Sequence, residues 1–208
     1  MQKEMNKMRL YDDKGNRLYL TVKERELFRH ASKGESREHR MFCQILLNTG
    51  CRPQECLNLE VKNIFLDEMC IQLRSLKKRK YDNSGNLKKP EYRTVPVQER
   101  FIELLDLTFD LKRKMKNKET QNDLLFKMHR QTAYRAVVST MNNAGIVGSM
   151  AMPKGLRHGF AIALLMGEKP APIHVVSKLL GHSDVKTTEI YLQAVGAEKR
   201  QLVMQALY

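Results

Sequence analysis

Apolar residues recur at helical spacing along most of the chain, and the points where that rhythm breaks mark out its elements. Thr21 with Glu24 has the form of a capping box and opens a helix running to about Ala31. Ser36 caps a second helix, in which Phe42, Ile45, Leu46 and Thr49 share one face, and Gly50 ends it. Pro53 suits the first turn of a third, so Arg52 stands just ahead of a helix start.

The period then changes from helical to alternating. Three β segments are predicted near Asn63 to Leu66, Cys70 to Leu76 and Tyr92 to Val97, with Ile71 and Leu73 facing inward and Pro96 confining the last to a sheet edge or end. Helical rhythm returns from Gln98, where Phe101, Leu104, Leu105 and Thr108 share a face, and fades into the basic run Lys112 to Lys118. Further helices are expected over about Thr132 to Asn143, after Pro153 with Leu156, Phe160, Ala163 and Leu164 as its core stripe, and over Ile173 to Leu180, stopped by Gly181. Tyr191 falls on the next helix, and a separate last one spans about Ala197 to Leu207. The expected fold is mainly α with a small three-stranded antiparallel β-sheet. The polar residues 1–20, with a turn at Asp12 to Asn16, read as an N-terminal arm, and 21–208 as one domain.

Charge narrows the class of partner. Lys and Arg total 37 against 23 Asp and Glu, a formal +14, which favours a polyanion, with nucleic acid ahead of an anionic membrane surface. The longest apolar run, Phe160 to Met166, is far short of the roughly 20 residues that a spanning helix needs. A polar N-terminus unlike a signal peptide points to the cytosol, where DNA binding would keep the protein with the nucleoid. Cys43, Cys51, Cys56 and Cys70 include no C-x2-C pair, so buried thiols are expected and no metal site.

The chemistry concentrates in the tail. Lys154-Gly-Leu-Arg157-His158-Gly-Phe, then Leu180-Gly181-His182-Ser183-Asp184, then Thr187-Thr188-Glu189-Ile190-Tyr191 bring an Arg, a His and a Tyr from three successive helices. Together they make an anion site beside a hydroxyl nucleophile, as phosphoryl transfer requires. Planar guanidinium groups meet non-bridging phosphate oxygens in pairs, and Arg52 and Arg157 are the candidates. Glu55, one turn after Arg52, shares its face and supports it. His158 is expected on another face of its helix, as a support or packing residue.

Thr49-Gly50-Cys51-Arg52-Pro53-Gln54-Glu55, Gly155-Leu156-Arg157-His158-Gly159-Phe160 and the L-G-H-S-x-x-x-T-T-x-x-Y run resemble the catalytic domain of tyrosine recombinases, the phage-integrase family. The resemblance implies that Arg52, Arg157 and His182 bind the scissile phosphate and that Tyr191 attacks it, giving a 3′-phosphotyrosine and a 5′-hydroxyl. The bond's energy is kept, so neither metal nor nucleotide cofactor is implied. It also implies a lysine on the hairpin between the second and third strands as the acid for the leaving oxygen. Lys77 is the first choice, with Lys78 and Lys80 as competitors. Lys78, Arg79 and Lys80 otherwise read as DNA-backbone contacts. The family usually has His where Lys154 stands; an ammonium there can orient the phosphate, and serves as a base only with a lowered pKa.

The implied partners are double-stranded DNA and further copies of the chain, a tetramer on DNA, and no membrane. Two other functions use the same residues: a noncatalytic DNA-binding regulator, and a type IB topoisomerase or telomere resolvase. About twenty residues precede the pattern, where most members carry another DNA-clasping domain, so either a minimal recombinase or a truncated chain is expected.

Overall fold

The capping box at Thr21 forms as its spacing predicts. Thr21 Oγ1 accepts the Glu24 N–H at 3.2 Å, and the Glu24 carboxylate takes the Thr21 N–H at 2.8 Å, starting α1 (Val22–Ala31). The computed structural model describes residues 8–76, 86 and 89–207. Ser36 caps α2 (Arg37–Thr49) and left-handed Gly50 closes it, after which Pro53 opens the short α3 (Pro53–Leu57).

β1 (Ile64–Phe65), β2 (Cys70–Arg74) and β3 (Tyr92–Pro96) form an antiparallel sheet in that order. Ile64 pairs with Ile71 and Ile71 with Val95, so three almost fully buried side chains make one inward row. Strand alternation then puts Leu73 and its partner Arg93 on the same inward face. The chain continues through α4 (Glu99–Phe109), α5 (Leu111–Met115) and α6 (Arg130–Asn143). The basic run after Leu111 is therefore helical as far as Met115.

α7 (Pro153–Met166) is the axis of the molecule. Buried residues run along it from Pro153 to Leu165 on every side, because it packs against α1, α2 and α6 as well as α8 (Ile173–Leu180) and α9 (Lys186–Leu207). Ahead of α1, Leu10, Tyr19 and Leu20 are buried as well, and the Leu20 N–H donates to the Gly155 carbonyl of α7 at 3.3 Å. A Cβ at Gly159 would sit 2.7 Å from the Leu20 carbonyl oxygen, so only glycine admits this close approach.

The expected fold class holds: mainly helical with a small three-stranded antiparallel sheet. One boundary differs. Tyr191 and the C-terminal residues share one continuous helix, α9, rather than two. It runs through Gly196, because a single glycine in a helix costs only about 1 kcal/mol. Among the described residues no helix is long and apolar enough to cross a membrane.

Candidate active site

Gly50 turns the chain so that Arg52 faces the site. Its φ of +60 is in the left-handed region, and the Phe160 ring of α7 occupies the space a Cβ would need, 2.5 Å away. Cys51 and Cys56, both buried, stand one residue before the α3 cap and at its fourth position, which are the places of a hydrophobic staple. Between them Arg52 is the cap residue. Its N–H donates to Glu55 Oε2 at 3.0 Å and its Nη1 to Oε1 at 2.8 Å, so the Arg52 side chain, 25% exposed, is aimed by a fully buried carboxylate.

Arg157 comes from α7 and is almost entirely buried. Nη1 donates to the Gly50 carbonyl at 2.8 Å and Nη2 to the Leu180 carbonyl at 2.7 Å. One guanidinium thus joins the turn before Arg52 to the C-terminus of α8, just before His182. Each terminal nitrogen keeps a second hydrogen for an anion. Burial, followed by the Arg52 charge, pulls the Arg157 pKa down to about 10, so it stays cationic at neutral pH.

His182 follows left-handed Gly181, and its Nδ1 lies 2.8 Å from Thr188 Oγ1, which fixes the ring. Tyr191 is fully buried on the first half of α9, and His158 Nδ1 is 2.9 Å from its hydroxyl. This contact gives His158, expected as a support or packing residue, a definite partner. Its face of α7 is the one that α9 crosses. The phenol is itself packed away, beside buried Ala194.

Burial, followed by the charges of Lys154, Arg157 and His182, pushes the His158 pKa down to about 3. The ring is therefore neutral at neutral pH. Its Nε2 has no hydrogen-bond partner among the described residues. Burial also raises the Tyr191 pKa, with Arg157 and Arg52 opposing, so the phenol is protonated at neutral pH.

The structure brings Arg52, Glu55, Arg157, His158, His182 and Tyr191 into one neighbourhood. Lys154 is exposed on the first turn of α7. Lys77, Lys78, Arg79 and Lys80 lie outside the described residues. All four cysteines are buried and free, and no group of three or more His, Cys, Asp or Glu suited to a metal occurs among the described residues.

Sequence reasoning missed Thr188 and Arg93. Thr188 stands in the T-T pair of the quoted motif, yet its link to His182 depends on how the turn folds back. Arg93 donates from Nη2 to Glu55 Oε2 at 2.6 Å and from Nε to the Leu179 carbonyl at 2.8 Å. Burial alone would push the Glu55 pKa up, but the hydrogen bond and charge of Arg93, with those of Arg52, hold it below the usual value. The available signal was alternation: an inward Val95 makes Arg93 inward as well.

The chain is similar to tyrosine recombinase XerA of Saccharolobus solfataricus, 30% identical over 168 residues, covering 81% of this chain and 50% of that one. It is also similar to tyrosine recombinase XerD of Staphylococcus aureus, 28% identical over 172 residues, covering 80% of this chain and 53% of that one. It thus spans about half the length of the curated relatives it matches. A crystal structure of XerA recombinase superposes with a TM-score of 0.68 at 25% identity, covering 90% of this chain and 64% of that one. The catalytic domain of bacteriophage HP1 integrase shares the fold, with a TM-score of 0.57 at 18% identity over 89% of this chain and 93% of that one. With residues 14–197 matching the phage integrase family, and with the fold of a tyrosine recombinase catalytic domain, the chain belongs to that family.

Proposed function

We propose that this chain is the catalytic part of a site-specific DNA recombinase, which cuts and rejoins strands of duplex DNA through a 3′-phosphotyrosine. The observation that carries the reading is the Arg157 guanidinium bridging Gly50 and Leu180, which ties the Arg52 turn to the His182 turn, while the adjacent His158 holds Tyr191 beside it. Recombinase relatives such as XerA and XerD support it, as does XerH, whose structure was solved bound to a difH substrate. The formal charge of +14 suits a DNA partner.

In this reading the Tyr191 oxygen attacks phosphorus as its proton passes to Nδ1 of neutral His158, which accepts its hydrogen bond. A bond forms between Tyr191 and the 3′-phosphate, and the bond to the 5′-oxygen breaks. Arg52, Arg157 and His182 meet the charge growing on the non-bridging oxygens. Lys77 gives its proton to the departing 5′-oxygen, Lys154 helps orient the phosphate, and Lys78, Arg79 and Lys80 contact the backbone. Strand joining reverses these steps, so the phosphodiester energy is conserved without a cofactor. Residues 21–208 form the catalytic unit behind the 1–20 segment, and copies of the chain assemble on duplex DNA as a tetramer in the cytoplasm.

A nicked suicide duplex, which traps the covalent intermediate by losing a short 5′-fragment, tests the proposal. The unsubstituted protein should form an adduct, and Tyr191→Phe should form none while binding duplex with nearly unchanged affinity, since it loses one hydroxyl and no charge. Binding without adduct in the unsubstituted protein would make it a regulator, and relaxed rather than recombinant product would make it a topoisomerase.

A further inference from the structure

Arg93 is the best-connected cation near the site that the mechanism above does not use. Its side chain is only 8% exposed, on the inward face of the strand that returns from the lysine-bearing hairpin. It grips two other segments at once: Glu55 through Nη2, at 2.6 Å, and the C-terminal end of α8 through Nε on the Leu179 carbonyl, at 2.8 Å. It also fills the space beside Gly181, where an added Cβ would lie 3.1 Å from Arg93 Cδ and Nη1. The hairpin strand, the Arg52 turn and the His182 turn therefore meet on one guanidinium.

The charges explain what this junction does. Glu55 is fully buried and faces two guanidinium groups, Arg52 at 2.8 Å and Arg93 at 2.6 Å. In a poorly solvated site a carboxylate must be balanced by cations close to it. With Arg93 supplying one of them, the Arg52 charge is shared between Glu55 and whatever anion arrives. With Arg93 gone, Glu55 would have Arg52 as its one remaining partner in this pair of ion pairs, and would draw that guanidinium inward.

We propose that Arg93 is a positioning residue that acts through Glu55 on Arg52, holding the buried carboxylate so that the Arg52 fork stays available to the scissile phosphate. This rests on the recombinase reading and extends it to a residue that touches neither DNA nor the nucleophile. Arg93 consequently governs the rate of strand cleavage rather than the affinity for duplex.

The test is single-turnover adduct formation on the suicide duplex at saturating DNA, with the dissociation constant and its salt dependence measured alongside. Arg93→Gln should slow adduct formation by about 10- to 100-fold, the size of effect that a small misplacement of a catalytic group produces. Its affinity and salt slope should stay at those of the unsubstituted protein. Arg93→Lys, which keeps the charge but cannot span Glu55 and Leu179 together, should fall between the two. Adding Glu55→Gln to Arg93→Gln should recover part of the lost rate, because the carboxylate that captures Arg52 is gone. A simple packing role gives no such recovery. Full cleavage rate in Arg93→Gln, or a double variant as slow as the product of the two single losses, overturns the proposal. If Arg93→Gln does not fold, Arg93→Lys decides: a slower rate at unchanged melting temperature supports the proposal, and a full rate refutes it. Should the unsubstituted protein form no adduct, the recombinase reading fails, which is a separate result.

Discussion

The Nδ1 atom of His158 stands 2.9 Å from the hydroxyl of Tyr191, so the residue next to one arginine of the anion site holds the proposed nucleophile. Both side chains are fully buried. With the ring hydrogen on Nε2, Nδ1 accepts the phenol's hydrogen, and that bond anchors α9 to α7. The contact fixes where the hydroxyl lies relative to Arg157 and also makes stability depend on pH.

That dependence has a definite sign. In the unfolded chain His158 takes up a proton below its ordinary pKa of 6.5, whereas in the folded protein it stays neutral down to about 3. The unfolded state therefore binds the extra proton across that interval. The His158 contribution is fully present above pH 6.5 and is lost as pH falls from there towards 3. The steepest loss is about 1.4 kcal/mol per pH unit, the value for one proton. Denaturant melts of the unsubstituted protein and of His158→Gln, run above and below pH 6.5, should give a stability difference that changes with that sign. Parallel curves for the two proteins would remove His158 from the account.

Arg52 and Arg157 should separate by what else they lose. Both sit in the proposed anion site, so Arg52→Ala and Arg157→Ala should each cost on the order of 10²-fold or more in cleavage. Arg157 alone ties down two backbone carbonyls, those of Gly50 and Leu180. Removing it leaves buried acceptors unpaired, at about 1–3 kcal/mol each, whereas after Arg52→Ala Glu55 still has Arg93. The melting temperature should accordingly drop for Arg157→Ala and hold for Arg52→Ala. Unchanged cleavage in both variants would dismiss the anion site.

How far these features could be read from the chain depended on whether their causes are local. The Thr21 box, the Ser36 cap and the Gly50 stop are decided within a turn or two, and each forms where its residues predict. The inward row of Ile71 and Leu73 follows from alternation in the same way. Arg52, Arg157, His182 and Tyr191 stood out as candidates because their motifs are specific, not because their geometry could be derived. The partner of His158 went unread since it depends on the crossing of α7 and α9, which helical spacing within α7 does not contain. Arg93 was missed for the same reason: its partners, Glu55 and Leu179, lie 38 and 86 residues away.

Lys77 is proposed from the family resemblance, and chemistry can test it. If it protonates the departing 5′-oxygen, Lys77→Ala should slow cleavage of ordinary DNA and regain rate on a duplex whose bridging 5′-oxygen is sulfur, because a thiolate leaves without a proton. Arg52→Ala should gain nothing from the sulfur, since its loss concerns the non-bridging oxygens. Rescue of Lys78→Ala or Lys80→Ala in place of Lys77→Ala would move the assignment along the hairpin.

The end of α9 carries the last prediction. Among the described residues of this helix Thr188, Tyr191, Ala194 and Val195 are buried, and beyond them Val203, Met204 and Leu207 are 55%, 50% and 69% exposed. Leu202, Val203, Ala206 and Leu207 form an apolar stripe in the sequence, downstream of the nucleophile. A helix whose first half is anchored in its own domain and whose second half presents apolar side chains to solvent is suited to dock on another copy of the chain. Strand exchange needs several subunits acting in concert, and such a helix would link their active sites through the segment that bears Tyr191. Deleting residues 198–208 keeps the buried half of α9 and the His158 contact, so folding and binding to a single site should survive. Assembly of larger complexes on DNA carrying two sites should fall sharply, as read by gel shift or light scattering. A truncated protein that assembles as well as the full chain, or that unfolds, would show that the end of α9 serves its own domain instead.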